Sequence, residues 1–245
     1  HTVKANWKLL LENYFECYHC LVAHPEFCKI QLHHLRDSNG TPKAIAQWES
    51  FNQRWTKKAE ALGHPTVGVW GGTELPDDKD NYCSQYYYAE RMGINDNLQQ
   101  IYADLVPTAQ CGIHKLPLLG SYQANDDGQV DWGIGSFGFW YTTCQFINFF
   151  RLTPVSASET KVTKMVLIHP DAIEGEHYDI ESLTVLGENT TEQDKKIVLN
   201  NQAGVLSRHY QPGPYNPQME KDVPPVMNSY IRLMRYGRSL DNGAS

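Results

Sequence analysis

Between Trp48 and Leu62 the apolar residues Trp48, Phe51, Trp55, Ala59 and Leu62 recur at intervals of three and four, and Gly63-His64-Pro65 follows as a stop. That spacing gathers apolar side chains on one face of a helix, so an amphipathic helix is predicted over this stretch. Further along, the period changes. Tyr82 to Ala89 is rich in tyrosine, and Val130 to Leu152 is dense in aromatic and β-branched residues interrupted by Gly133, Gly135 and Gly138. Thr160 to Ile168 begins as an alternating, half-buried strand after a turn at Pro154-Val155-Ser156-Ala157-Ser158. Asn125-Asp126-Asp127-Gly128 lies between two strand-like runs as a hairpin signal.

Helical periodicity returns in Thr190 to Val205, where Thr190 or Thr191 is a plausible N-cap, acidic residues fill the first turn, and Ile197, Val198, Val205 and Leu206 mark an apolar stripe. A last amphipathic helix is expected at Val226 to Met234, after Val223-Pro224-Pro225 and before a frayed end. Adjacent strands flanked by helices imply an α+β fold, an antiparallel sheet with helices packed on one face. No repeat, low-complexity tract or linker divides residues 1-245, which read as a single domain.

Composition narrows the function. A chain of 245 residues that is 41% hydrophobic can bury a real core. Its formal charge of −7, with no basic stripe, argues against nucleic acid as a partner. No apolar run reaches membrane-spanning length and no signal peptide opens the chain, so a cytoplasmic location is expected. Six unevenly spaced cysteines do not form a disulfide framework and read as reduced thiols.

The chemistry concentrates in Asn13-Tyr14-Phe15-Glu16-Cys17-Tyr18-His19-Cys20-Leu21-Val22-Ala23-His24-Pro25. Glu16 and His19 are three apart, so on a helix a carboxylate could hydrogen-bond the far nitrogen of a metal-ligating imidazole. His24 lies five beyond His19, off that face of an unbroken helix, but Pro25 makes His24 a helix boundary and lets its ring swing back. Two imidazoles with a carboxylate are the makings of a 2-His-1-carboxylate triad, which binds Fe(II) on one face and leaves positions open for dioxygen and substrate. Ordinary helix-end histidines are the competing reading for either residue alone. Cys17-Tyr18-His19 and Cys111-Gly112-Ile113-His114 match the two halves of a Rieske ligand pattern literally, but lie far apart rather than on adjoining loops. Cys17 and Cys20 form a lone C-x-x-C without the second pair that a structural zinc site wants. His33-His34 sits in a polar, turn-like stretch and reads as surface.

The run Asn6-Trp7-Lys8, Glu12-Asn13, Glu16, His19 and His24-Pro25 resembles the start of the catalytic domain of Rieske non-haem iron oxygenase alpha subunits, the aromatic-ring-hydroxylating family. Asp194, followed by Asn201-Gln202-Ala203-Gly204-Val205-Leu206-Ser207 and Tyr210-Gln211-Pro212-Gly213, matches that family's downstream ligand helix. Glu16, where the family commonly has Asp, is similar to the branch of glycine betaine and carnitine monooxygenases. The resemblance implies a helix-grip fold, with His19, His24 and Asp194 as iron ligands, Glu192 as the fallback third ligand, and Glu16 as a bridge for electrons. A structural salt bridge is the alternative role for Glu16.

It further implies an N-terminal Rieske domain carrying a [2Fe-2S] cluster upstream of this chain. The 245 residues would then be the C-terminal part of a longer protein, unable to turn over alone. Electrons would come from NAD(P)H through a reductase or ferredoxin, and the family assembles as homo-oligomers, implying a trimer. The expected activity is hydroxylation or N-demethylation of a small substrate, a quaternary ammonium compound being one candidate and an aromatic ring the alternative. Trp132, Phe139 and Tyr141 are candidate substrate-binding aromatics, by cation–π attraction or ring stacking. Core packing is the competing explanation for each of them. A hydrolytic zinc enzyme and a non-catalytic helix-grip binding module are the other classes; the chain has no H-E-x-x-H motif.

Overall fold

The computed structural model describes residues 1–16, 18–29, 41–63, 83–88, 115–124, 129–134, 137–217, 219–220 and 223–243. The hairpin signal at 125–128 and the His33-His34 stretch lie outside the described residues. Among the described residues, no helix is long and apolar enough to cross a membrane.

The architecture is α+β. Strands β1 (Thr2–Val3), β2 (Cys83–Tyr88), β3 (Gln129–Ile134), β4 (Gly138–Thr142), β5 (Phe146–Ser156) and β6 (Glu159–Ile168) form one sheet in the order β1-β6-β5-β4-β3-β2. Every pairing is antiparallel. The helices are α1 (Trp7–Tyr14), α2 (Cys20–Ala23), α3 (Pro42–Ala61), α4 (Ile180–Val205) and α5 (Val223–Gly243), with a 3-10 turn at Phe27–Lys29.

The longest pairing is the β5–β6 hairpin, whose register sets Leu152 opposite Val162 and Phe150 opposite Lys164. Its turn is tighter than the expected Pro154–Ser158 loop. β5 continues to Ser156, with a bulge between Pro154 and Ser156, and Ser158 N donates to Ser156 Oγ at 3.2 Å. Pro154 is tolerated because β4 ends opposite Arg151, leaving that stretch of β5 with one neighbour.

One sheet face carries Phe139, Phe150, Leu152 and Val162, and on it sit Trp7, Leu11 and Phe15 from the α1 region, Val198 of α4 and Val223 and Val226 of α5. Helices thus cover this face and close the main core. Two caps hold the helices in place. Asn6 Oδ1 accepts from Lys8 N at the start of α1, while Asn6 N donates to Gln202 Oε1 of α4 at 2.7 Å. Asp179 caps α4 by accepting from Ser182 N at 2.7 Å.

The start of α4 differs from the sequence reading. The helix begins at Ile180, so Thr190 and Thr191 are interior residues whose hydroxyls donate back to Leu186 O and Gly187 O. Asp194 is therefore a mid-helix residue rather than a first-turn acid. The final helix is likewise longer than expected, starting at Val223 with Pro224 and Pro225 in its first turn, where proline costs no hydrogen bond.

Candidate metal centre

Helix α1 ends at Tyr14, and α2 starts at Cys20 with His19 as its N-cap and His24 as its C-cap. Glu16 and His19 thus meet across a turn between two helices, rather than along one helix as their spacing suggested. The turn is held by Glu16 itself, whose Oε2 accepts from Tyr18 N at 2.8 Å while Oε1 accepts from His19 Nδ1. His24, at the boundary set by Pro25, has φ −124° and ψ 63°, and its side chain is 2% exposed.

This backbone path turns both imidazoles toward α4. His19 Nε2 lies 3.2 Å from His24 Nε2. Asp194 Oδ1 lies 3.2 Å from His19 Nε2 and 2.9 Å from His24 Nε2. Donors held about 2.1 Å from one ion and at right angles to one another stand about 3.0 Å apart, so these three atoms have the separations of a facial triad.

The far side of each imidazole is fixed. Glu16 Oε1 accepts a hydrogen bond from His19 Nδ1, and Gln193 Oε1 stands 2.8 Å from Nδ1 of His24. With both protons on Nδ1, the Nε2 lone pairs point at the shared centre. Gln193 is oriented in turn by Glu26, whose Oε2 accepts from Gln193 Nε2 and Asn189 Nδ2, each at 3.1 Å. Asn13 Nδ2 donates to Asp194 Oδ1 at 2.8 Å, and its own buried Oδ1 has no hydrogen-bond partner among the described residues. Gln193, Glu26 and Asn13 are absent from the site residues singled out in the sequence. The available signals were the adjacency of Gln193 to Asp194 and the Glu12-Asn13 pair.

The electrostatics suit a cation. Burial works against a charged His19, but hydrogen bonds to Asp194 and Glu16 outweigh it and hold the imidazole up to about 9. Burial likewise raises Asp194, but the bonds from His19 and His24 win and hold its carboxyl down to about 2. The locus between the three side chains attracts positive charge, and a metal ion held there would replace a proton on His19 Nε2.

His19, Cys20 and His24 also offer donor atoms within 4.8 Å of one another. Cys20, however, is disulfide-bonded and has no thiolate to give, so the expectation of reduced thiols throughout does not hold at this position. That leaves Asp194 as the anionic donor. Glu192, the fallback, instead pairs with Lys195 Nζ at 2.9 Å.

Of the aromatic candidates, Phe139 is buried, stacked on Tyr14 at 3.7 Å and on Phe150 at 4.8 Å. Tyr141 shares the helix-covered face, and its hydroxyl accepts from Asn148 Nδ2 at 2.7 Å. Trp132 pairs in register with Trp140, one residue out of step with Phe139 and Tyr141.

Residues 1–104 and 138–235 match the family of the ring hydroxylating alpha subunit, catalytic domain. The glycine betaine monooxygenase oxygenase subunit of Pseudomonas aeruginosa is 30% identical over 230 residues, covering 94% of this chain and 49% of that protein. The subunit of the same name from Chromohalobacter salexigens is 29% identical over 238 residues, covering 94% and 47%. The chain spans about half the length of these relatives. A solved quaternary ammonium Rieske monooxygenase shares the fold, with a TM-score of 0.52 at 14% identity, covering 96% of this chain and 48% of that one. The helices and antiparallel sheet share the fold of that solved oxygenase. The chain belongs to the ring-hydroxylating alpha subunit family, the Rieske-type oxygenases, which are oxidoreductases. Members of that family generally use non-haem iron together with a Rieske cluster.

Proposed function

We propose that residues 1-245 act as one catalytic domain in which His19, His24 and Asp194 hold a mononuclear Fe(II). The observation that carries this reading is the 2.9–3.2 Å triangle of Nε2, Nε2 and Oδ1 atoms, two of them neutral donors and one anionic. Bound there, ferrous iron would supply the activation of dioxygen, as it does at facial triads elsewhere.

The chain's own residues do the rest. Glu16 and Gln193 keep the Nδ1 protons of His19 and His24 in place, and Asn13 orients the Asp194 carboxylate. The family resemblance favours Glu16 as the contact toward a Rieske [2Fe-2S] cluster, and so as the electron-transfer residue. Hydroxylation of a C–H bond consumes dioxygen, two electrons and two protons, and gives the alcohol and water. The electrons would come from NAD(P)H through a reductase or ferredoxin, and the family resemblance favours a homotrimer.

The names of the relatives favour a quaternary ammonium substrate. Hydroxylation of one N-methyl group gives a carbinolamine, which releases formaldehyde and a proton and leaves the tertiary amine. The decisive experiment is metal analysis of the chain purified without added chelator, followed by oxygen-uptake assays of the full-length enzyme with glycine betaine. Stoichiometric iron and substrate-dependent oxygen consumption are expected. Zinc in its place, or no oxygen consumption with any quaternary ammonium compound or arene, rejects the reading.

A further inference from the structure

Lys164 lies in β6 between Val162 and Val166, on the strand side that also carries Thr160 and Val162 into the core. A lysine at that register points its ammonium under the helices instead of into solvent. Its Nζ is 5.9 Å from the ring centre of Phe150, its register partner. On the helix side it fills the hollow left by Gly187 of α4. A Cβ built on Gly187 would meet Lys164 Nζ at 2.5 Å, Lys164 Cε at 3.3 Å and the Tyr141 hydroxyl at 4.0 Å.

This nitrogen is buried and has no hydrogen-bond partner among the described residues. Glu188 is the charged group acting on it; that side chain is exposed and forms no ion pair with it among the described residues. Burial lowers the ammonium's proton affinity, and the field of Glu188 opposes that shift. A buried cation without a partner is expensive to keep, and apolar residues of the same length would pack there at less cost. A group from outside the chain would complete the shell.

The direction of that group follows from the helix. Gly187 and Asp194 are seven residues apart on α4, which puts them on nearly the same face and about 10 Å apart along the axis. That is the scale of a small zwitterion with one contact at each end. We propose that Lys164 anchors the carboxylate of the substrate, so that the cationic N-methyl end lies toward His19, His24 and Asp194. Glycine betaine, the compound in the relatives' names, pairs a quaternary ammonium with a carboxylate. The inference deepens the proposed function and rests on it for the identity of the cationic end.

The test is calorimetric titration of the iron-loaded chain with glycine betaine, its methyl ester and acetate. The unmodified chain should bind glycine betaine at least ten-fold more tightly than the ester, and should bind acetate measurably. K164M and K164Q should both erase the preference and abolish acetate binding, with Tm unchanged or raised because an unpaired charge has been removed. Either variant keeping the full carboxylate preference overturns the anchor, as does an unmodified chain without preference or acetate binding. A lowered Tm in both variants makes Lys164 a structural residue and also overturns it. Lys164-dependent acetate binding without any binding of glycine betaine upholds the anchor while rejecting the quaternary ammonium reading. Undiminished glycine betaine binding in both variants rejects the anchor and leaves the oxygenase reading standing.

Discussion

Gln193 and Asp194, consecutive on α4, reach both nitrogens of one imidazole: Gln193 Oε1 stands 2.8 Å from Nδ1 of His24, and Asp194 Oδ1 stands 2.9 Å from Nε2. One helix therefore supplies the proposed anionic ligand and the group that orients the neighbouring imidazole. Removing the amide leaves the ring free to rotate and to carry its proton on the wrong nitrogen. Outer-shell partners of this kind are worth roughly 10- to 100-fold in metal affinity. Gln193→Leu should weaken Fe(II) binding by that factor in a competitive chelator titration and leave the circular dichroism spectrum unchanged. Unaltered affinity would mean that another group fixes the ring.

Replacing a ligand is a harsher change than replacing its support. His19→Ala, His24→Ala and Asp194→Ala each remove one corner of the triangle, and two donors do not retain ferrous iron through purification. Iron content measured after gel filtration should fall from about one per chain to below about 0.1, since binding to a folded site requires the full donor set. Any of the three variants that holds stoichiometric iron refutes its residue as a ligand. Chelation of the unmodified protein should lower its Tm, because a ligand specific to the folded state stabilises it by mass action.

Glu16 tests a different function with the same metal in place. Its carboxylate accepts from His19 Nδ1 and from Tyr18 N. Gln can still accept one of these bonds but removes the charge. In the full-length enzyme, Glu16→Gln should keep iron at wild-type stoichiometry and slow single-turnover oxidation of the reduced cluster by ten-fold or more. Equal single-turnover rates would confine Glu16 to a structural salt bridge.

What the sequence made legible was mostly periodic or punctuated. Pro25 announced the backbone break that lets His24 face His19, and the apolar spacing from Trp48 onward located α3 within Pro42–Ala61. The first ten residues of α4 were hidden because Thr190 and Thr191 read as a helix N-cap. Their compensation, two hydroxyls bonded back to Leu186 O and Gly187 O, exists only once the helix has formed. Glu16 and His19 pair across a turn although their spacing suggested a helix, because α1 stops at Tyr14. Lys164 was least legible. The alternation of β6 placed it with Val162 and Val166, and nothing local says that Gly187, on a distant helix, leaves room for its head.

The hidden start of α4 has a measurable consequence. Asp179 accepts from Ser182 N at 2.7 Å and from Ser182 Oγ at 2.8 Å, satisfying donors that would otherwise be orphaned at the helix end. Loss of such a cap costs about 1 kcal/mol. For a chain of this size that is a fall of roughly 2–4 °C in Tm. Asp179→Ala should show that fall in a thermal melt, with iron stoichiometry intact because Asp194 lies four turns further on. A helix that truly began at Thr190 would leave Tm unmoved.

Cys28 gives a pH-dependent readout of the same local packing. Its thiol donates to Cys20 O at 3.2 Å, and burial pushes it from the ordinary 9.0 up to about 12. The thiolate is the reactive form, so at pH 8 the folded chain should hold about a thousandth of the thiolate of an exposed cysteine. Mass-spectrometric mapping of iodoacetamide labelling should find Cys28 unmodified when folded and labelled in denaturant. The sign for stability follows from the same shift: a raised folded value favours the neutral thiol, so its contribution is complete below pH 9. It is then lost progressively as pH climbs toward 12, because only the unfolded chain can ionise there. Cys28→Ser should flatten the alkaline limb of the stability curve, and rapid labelling of folded Cys28 at pH 8 would show that the thiol is not shielded.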